Sequence, residues 1–272
     1  MTDDEKVTQA PDETLVEQNS VDVSAAVWKK ASLVENYLKR VRKGVPLAEA
    51  QIDVMMRVIE GRGQPVENFL DLGCGDGILA ATILTEYPEA SGVLVDFSTP
   101  MIQAALRNLK EYSHALHLTT LDYSEPSWFD MVAARGPFDV AVSGYSIHHQ
   151  PDAKKQQIYA DIFDLLKPGG VFVNMEHVAS STPWVEARHD DFFIDSLWAS
   201  QVGSEDAKPR DEIAAAYHSR EDKAANLLTL VERQCSWLRQ IGFQDVDCYF
   251  KAFELAVFGG RRPLELPERE DR

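Results

Sequence analysis

Apolar residues recur along the chain in two alternating rhythms. Phe69-Leu70-Asp71-Leu72, Val93-Leu94-Val95-Asp96, Leu116-His117-Leu118-Thr119, Phe138-Asp139-Val140-Ala141-Val142 and Val171-Phe172-Val173-Asn174-Met175 are short apolar runs that read as buried strands. Between them, apolar positions fall three to four apart. They predict helices over Ile78 to Tyr87, from a Ser98 cap to about Tyr112, and over 152–166 on Ile158, Ile162, Leu165 and Leu166. Lys167-Pro168-Gly169-Gly170 reads as a turn. Strand and helix in alternation, joined by short connections, predict a parallel sheet covered on both faces.

The rhythm changes at both ends. Ser24 would cap a helix carrying Val27, Ala31, Val34, Leu38 and Val41, which Gly44 would stop. Pro46 would open a second helix on Leu47, Val54, Val58 and Ile59, ended by Gly61 and Gly63. Residues 183–218 read as helices with polar joints, and 220–241 as one long helix on Leu227, Val231, Leu238 and Ile241. Two strands around 245–250 and 253–258 lie too close together for a crossover, so they must be antiparallel. The expected fold is α/β: a seven-stranded, mostly parallel sheet with an antiparallel C-terminal hairpin, helices on both faces and a helical lid. Its parts would be an acidic flexible tail (1–22), N-terminal cap helices (23–65), a ligand-binding core (66–178), a lid insertion (179–219) and a closing helix and hairpin (220–272).

Composition narrows the partners. A chain of 272 residues with 44% apolar and 26% charged positions can bury one large core and a small lid, and excludes wholesale disorder. No apolar stretch approaches the roughly 18 residues of a membrane span. The opening MTDDEKVTQAPDE lacks the basic and apolar parts of a signal peptide. Cys74, Cys235 and Cys248 form no C-x-x-C pair, which excludes a disulfide framework or zinc knuckle and fits a reducing, cytoplasmic setting. With Lys+Arg 27 against Asp+Glu 44, the net charge of -17 repels phosphate backbones and disfavours nucleic acid. The basic cluster Lys29, Lys30, Lys39, Arg40, Arg42 and Lys43 reads as a solvated helix face.

The chemistry gathers at strand ends. Asp71-Leu72-Gly73-Cys74-Gly75-Asp76-Gly77 lies between the first strand and its helix, where glycine permits positive φ and close approach of a ligand. Open parallel sheets bind ligands at the carboxyl ends of their strands. Asp96 ends the second strand, where a carboxylate can accept both ribose hydroxyls, and Asp122 follows the third, where it can read an exocyclic amine.

FLDLGCGDG, VLVDFS, LDY, FDVAVSGYSIHH and LLKPGGVFVNME resemble, in order, the motifs of class I S-adenosylmethionine-dependent methyltransferases. The resemblance spans about residues 66–178. The end of the chain is similar to that fold's terminal helix and hairpin, and within the family the tail is similar to carboxy-S-adenosylmethionine synthase and related type 12 and type 25 methyltransferases. It implies a Rossmann-like fold with S-adenosyl-L-methionine as cofactor and S-adenosyl-L-homocysteine as product. By this resemblance Asp71 faces the methionine amino group, and Gly73, Gly75 and Gly77 let the chain pass close to it. Asp96 holds the ribose, Phe97 and Met101 flank the adenine, and Asp122, with Tyr123 adjacent, accepts from its amine. Ser143, Gly144 and Tyr145 lie beside the sulfonium. Core packing is the alternative for Phe97 and Met101, and capping for Asp71 and Asp96. A nicotinamide dehydrogenase would show G-x-G-x-x-G and parallel terminal strands, which this chain lacks.

On the acceptor side, Tyr145, His148 and His149 follow the fourth strand, and Glu176 and His177 the fifth. The histidines can be structural, act as bases or position an acceptor, with His149 preferred to His148. A metal held with Glu176 or His189 is the minor alternative, and no metal is expected. The family resemblance implies that the lid covers the acceptor. Trp28 and Tyr37 would contribute from the N-terminal helices, and Trp184, Phe192, Phe193, Trp198 and Tyr217 from the insertion. Arg188, Arg210 and Arg220 would meet an acceptor carboxylate or lie on the surface. The expected activity is methyl transfer to a small molecule at O, N, S or C, with no membrane partner and with monomer and homodimer both open. The alternatives are an enzyme of the carboxy-S-adenosylmethionine synthase type, in which Arg220 would face the sulfonium substituent, and a non-catalytic binding module. A tRNA or protein methyltransferase is disfavoured by charge.

Overall fold

A computed structural model describes residues 44–204, 206–220, 223 and 225–264. The acidic start, the helix with Trp28 and Tyr37, and the basic cluster lie outside the described residues. Seven strands form one sheet: β1 (Asn68–Leu72), β2 (Ser91–Asp96), β3 (Leu116–Thr120), β4 (Phe138–Gly144), β5 (Leu166–His177), β6 (Gln244–Ala252) and β7 (Leu255–Arg261). Their spatial order is β3-β2-β1-β4-β5-β7-β6. The first five are parallel, and β7 runs antiparallel to both β5 and β6, as the hairpin spacing predicts. The order reverses between β1 and β4, so their carboxyl ends border a crevice where such sheets bind ligands.

Successive strand residues point to opposite faces. Leu70 and Leu72 therefore pack with Tyr159, Phe172, Trp237 and Phe258 on one side of the sheet. Phe69 packs with Met55, Ile83, Leu94, Val140 and Val142 on the other. A strand buried on both faces has to be apolar throughout, which is why these segments read as continuous runs rather than alternations.

The helices are α1 (Ala48–Glu60), α2 (Ile78–Glu86), α3 (Thr99–Asn108), α4 (Trp128–Ala133), α5 (Asp152–Leu165), α6 (Pro183–Ala199), α7 (Arg210–His218) and α8 (Val231–Ile241). Ser98 takes the N-cap position of α3. Four details differ from the sequence pattern. Helix α1 buries Gln51, Met55, Met56 and Ile59, whereas Leu47 is exposed in a left-handed conformation. Helix α4, with Trp128 fully buried, escaped the periodicity because it is only six residues long. Lys167–Gly170 is an irregularity within β5 rather than a free turn: Gly169 adopts φ 78°, and its N–H and the Gly170 carbonyl bond back to Arg262.

The helix expected over 220–241 begins only at Val231. Upstream, tertiary partners claim the backbone. The Leu227 N–H donates to the His148 carbonyl at 3.0 Å, and the Leu227 carbonyl accepts from the buried Lys155 ammonium. The Thr229 carbonyl accepts from Ala179 N–H and Gln234 Nε2, and the Thr229 hydroxyl from Lys155 Nζ. A peptide whose groups are spoken for in this way cannot also supply i to i−4 bonds.

Helices α6 and α7 sit together as a small unit with its own core of Ile194, Leu197, Ile213 and Tyr217. The Arg210 guanidinium ties them through Asp195 at 2.6 Å. Gly44 packs against Leu197 of α6, so the chain enters α1 beside this lid.

Candidate active site

A cavity opens at the carboxyl ends of β1 and β4, bordered by Asp71, the loop Gly73–Asp76, Met101, Tyr145, Met175 and the α1 residues Ala48 and Ile52. The loop departs from β1 through three left-handed glycines, Gly73 (φ 72°), Gly75 (φ 55°) and Gly77 (φ 86°). A Cβ on Gly73 would meet Ser146 Oγ at 1.9 Å, and one on Gly77 would meet Leu109 at 2.5 Å. A Cβ on Gly75 would meet nothing within 4 Å. Two of these glycines are thus required by the protein's own packing. The third borders the cavity with open space around it.

Asp71 is fully buried. Its Oδ2 accepts from Ala80 N–H at 3.2 Å, while Oδ1 has no hydrogen-bond partner. Burial pushes its pKa up to about 7, against the pull of the Ala80 N–H and with a further push from the nearby Asp96 charge. Asp96 is nearly buried; its Oδ2 accepts from Gly75 N–H at 2.9 Å and its Oδ1 from Ser98 N–H at 2.8 Å. Burial raises its pKa to about 6, with both N–H bonds opposing. Two desolvated carboxylates close together favour a ligand that brings positive charge and hydroxyl or amine donors.

Met101 borders the cavity, and Phe97 is half-buried at the end of β2. Asp122 is half-buried and accepts from Ser124 N–H at 2.9 Å. Tyr123 is buried, its hydroxyl 2.6 Å from Ser146 Oγ. Ser143 does not border the cavity. It is fully buried, and its hydroxyl donates to the Leu72 carbonyl at 2.7 Å, locking the ends of β1 and β4 together. Gly144 and Tyr145 stand at the cavity in its place. Tyr145 holds a left-handed backbone, φ 51°, uncommon for a bulky residue, and its hydroxyl donates to Gln51 Oε1 at 2.5 Å. Gln51 is itself buried and anchored to the Pro46 carbonyl, so α1 is fixed over the cavity mouth. Nothing in the local pattern around Gln51 announces this role.

His148 and His149 lie just beyond, in the short turn Ile147–His149. His148 Nδ1 is 2.6 Å from Glu176 Oε1, and its N–H donates to Glu176 Oε2 at 3.0 Å. Burial pushes the Glu176 pKa up to about 7 and drives that of His148 well down. The Asn226 side chain is a further hydrogen-bond partner of His148; in the tautomer whose Nδ1 donates to an ionised Glu176, Nε2 is the basic nitrogen. His149 Nδ1 lies 3.1 Å from the Ala225 carbonyl, which fixes its tautomer in the same way. The two rings touch at a tilt of 44°, with centroids 3.9 Å apart.

Edge-on and tilted ring contacts lead on from this pair to the lid. His148 meets His177 at 5.7 Å, His177 meets His189 at 5.3 Å, and His189 meets Phe193 at 5.7 Å. Of the expected lid aromatics, Phe193 and Tyr217 thus face inward; Phe192 packs on Phe253, while Trp184 and Trp198 are exposed at 72% and 45%. Arg188 and Arg210 pair with Asp191 and Asp195 on the lid surface. Arg220 stacks 4.0 Å over the Tyr217 ring and donates to its carbonyl. Glu254, absent from the sequence expectations, accepts from His177 Nε2 at 2.7 Å.

Residues 69–170 match the family model for a methyltransferase domain. The demethylmenaquinone methyltransferase of Leptospira interrogans is 27% identical over 142 residues, covering 52% of this chain and 55% of that protein. The chain thus spans about half the length of the curated relative it matches there. The carboxy-S-adenosyl-L-methionine synthase of Nautilia profundicola is 19% identical over 84% of this chain and 90% of that protein. The crystal structure of 1,6-didemethyltoxoflavin-N1-methyltransferase from Burkholderia thailandensis, with 1,6-didemethyltoxoflavin and S-adenosylhomocysteine bound, superposes with TM-score 0.57 at 17% identity. It covers 94% of this chain and 93% of its own, and shares the fold. Among the described residues, no helix is long and apolar enough to cross a membrane.

Proposed function

We propose that this chain is a class I S-adenosylmethionine-dependent methyltransferase that transfers a methyl group from S-adenosyl-L-methionine to a small-molecule acceptor, a reading supported by the match of residues 69–170 to the family model for a methyltransferase domain. The observation that carries this reading is the unpartnered, buried Asp71 Oδ1 at a glycine-lined cavity. A cofactor with an ammonium group fits that vacant acceptor, and the open space at Gly75 fits its close passage. Asp71 would hold the ammonium and Asp96 the ribose hydroxyls, with Phe97 and Met101 against the base and Asp122, beside Tyr123, accepting from its amine. When bound, the cofactor supplies an electrophilic methyl on a positively charged sulfur.

The chain's own contribution is orientation and exclusion of water. Tyr145, pinned by Gln51, would shape the wall beside the sulfur. An acceptor that loses a proton needs a base, and His148 fits that part better than His149. Its Nδ1 is held by a buried carboxylate, whereas His149 is held by a neutral carbonyl. The net charge of -17 supports a small molecule over nucleic acid, and three free cysteines support a cytoplasmic location.

A second reading follows from the end-to-end match to the carboxy-S-adenosyl-L-methionine synthase. In it Arg220 would meet a carboxylate carried on the cofactor's sulfur. One experiment separates the two: incubation with isotope-labelled S-adenosylmethionine and a metabolite extract, read by mass spectrometry. A labelled methyl on an extract component supports methyl transfer, and a heavier sulfonium nucleoside supports the second reading. S-adenosylhomocysteine should raise the melting temperature and NAD should not. Stabilisation by NAD alone would remove both readings.

A further inference from the structure

His177, His189 and Glu254 come from three different elements: the end of β5, helix α6 of the lid and the turn between β6 and β7. Their donor atoms all lie within 4.8 Å of one another. His177 Nε2 is 2.7 Å from Glu254 Oε2, and His189 Nε2 is 3.7 Å from the same oxygen. His189 is 1% exposed, yet neither of its ring nitrogens has a hydrogen-bond partner. Two orphaned nitrogens on a buried imidazole lose their water without replacement, so such a group calls for an explanation. Packing alone does not supply one, because a leucine or phenylalanine would fill the same space without that cost.

We propose that His177, His189 and Glu254 bind one divalent transition-metal ion of the zinc class, which fastens the first lid helix to the edge of the sheet. Two imidazoles and one carboxylate suit zinc and its neighbours rather than calcium or magnesium. Tetrahedral ligands about 2.0–2.2 Å from zinc lie roughly 3.3 Å apart, so His189 and Glu254 need only close by a few tenths of an ångström. His177 gives up its hydrogen bond to Glu254 by moving its proton from Nε2 to Nδ1, a tautomer shift with no change in charge. The fourth position is left to water. Burial keeps His189 neutral, its pKa lowered to about 4, which is the form that binds metal. Of the charges acting on His189, Glu254 and Asp190 favour a cation and Arg220 opposes one. The site shares no residue with the cavity lined by Asp71 and Tyr145, so it stands independently of the cofactor reading. It departs from the sequence expectation of no metal, which had no means of bringing Glu254 to His177.

The test is titration of the full chain with cobalt(II) and zinc. We expect visible ligand-field bands for one cobalt per chain, displaced by zinc, and one retained zinc per chain after dialysis. His189→Gln and Glu254→Gln should each weaken binding at least tenfold, while leaving the thermal shift caused by S-adenosylhomocysteine unchanged. Zinc should slow proteolysis of the 183–218 segment in the wild type and in neither variant. Absence of cobalt bands in the wild type overturns the proposal, whatever the variants do. Equal binding by wild type and both variants also overturns it, since the metal then sits on surface carboxylates.

Discussion

Replacing Asp71 by Asn keeps the shape of the side chain and removes its charge. Asp71 is fully buried, with a pKa pushed up to about 7. Against an ordinary aspartate near 3.9, the roughly 3-unit rise means about 4 kcal/mol against the ionised form, with no discount for solvent at a fully buried site. The folded pKa exceeds the unfolded one, so the ligand-free protein loses stability as pH rises from about 4 through about 7. An ammonium ligand reverses this preference by holding the ionised carboxylate. Affinity for S-adenosylhomocysteine should therefore rise about tenfold between pH 6 and pH 8, following the ionised fraction of a group titrating at about 7. Asp96, at about 6, adds at most about twofold over that range. In the Asp71→Asn variant the tenfold slope should vanish, and affinity at pH 8 should fall roughly ten- to a hundredfold, the value of a charged hydrogen bond. The ligand-free variant should melt higher than wild type at pH 8. Calorimetry in buffers of differing ionisation enthalpy reads both affinity and the proton released. A flat wild-type profile, or an unchanged slope in the variant, would refute the assignment of Asp71.

Asp96→Ala should cost at least tenfold in S-adenosylhomocysteine affinity, because it also frees the Gly75 and Ser98 N–H groups, whereas His149→Ala should leave affinity close to wild type; equal losses by calorimetry would contradict the site. His148→Gln should leave binding intact and lower turnover about a hundredfold once an acceptor is known, with loss of the acid limb of its pH profile. Gly73→Ala should lower stability by about 2 kcal/mol or more, since it adds left-handed strain to a Cβ placed 1.9 Å from Ser146 Oγ, and an unchanged melting temperature would show that the loop can move aside. Asp139, against the upward push of burial, is held below the ordinary carboxylate range by Asn68 N–H, Lys167, Glu67 N–H and Arg62. Its stabilisation is present above about pH 4 and fades as acid protonates it, so Asp139→Ala should cost roughly 2–4 kcal/mol at neutral pH and flatten the acid limb of the melting profile.

The fold was legible in the sequence where local rules govern. A strand buried on both faces has to be apolar throughout, and a loop packed against Ser146 and Leu109 has to contain glycine, so β1, β2, β4 and β5 and the bend at Asp71 announce themselves. The pattern failed where distant groups override it. Residues 226–230 have helical spacing but are drawn out by Lys155, His148 and Ala179, more than 45 positions away. The shift of the α1 face toward Gln51 has the same origin, because a buried glutamine is tolerated only where Tyr145, 94 positions on, consumes its carbonyl. Ser143 shows a bond the local pattern does not announce: at a strand end, its hydroxyl clasps the Leu72 carbonyl of the neighbouring strand.

This division has a consequence for what the motif can specify. Asp71 and Asp96, which would meet the cofactor's charged and hydroxyl groups, stand at the ends of β1 and β2 and are fixed by N–H groups of the bend, of α2 and of the α3 cap. The groups that would meet an acceptor come from α1, the turn after β4 and the lid. They are positioned by Gln51 to Tyr145 and by His148 to Glu176, pairs outside the glycine-lined bend. On this reading cofactor identity and acceptor identity are held by different parts of the chain. Exchanging the 183–218 segment with that of a relative should redirect the acceptor while leaving the affinity for S-adenosylhomocysteine within about threefold, because that segment keeps its own core of Ile194, Leu197, Ile213 and Tyr217 and borders no part of the cavity, so the two effects should add.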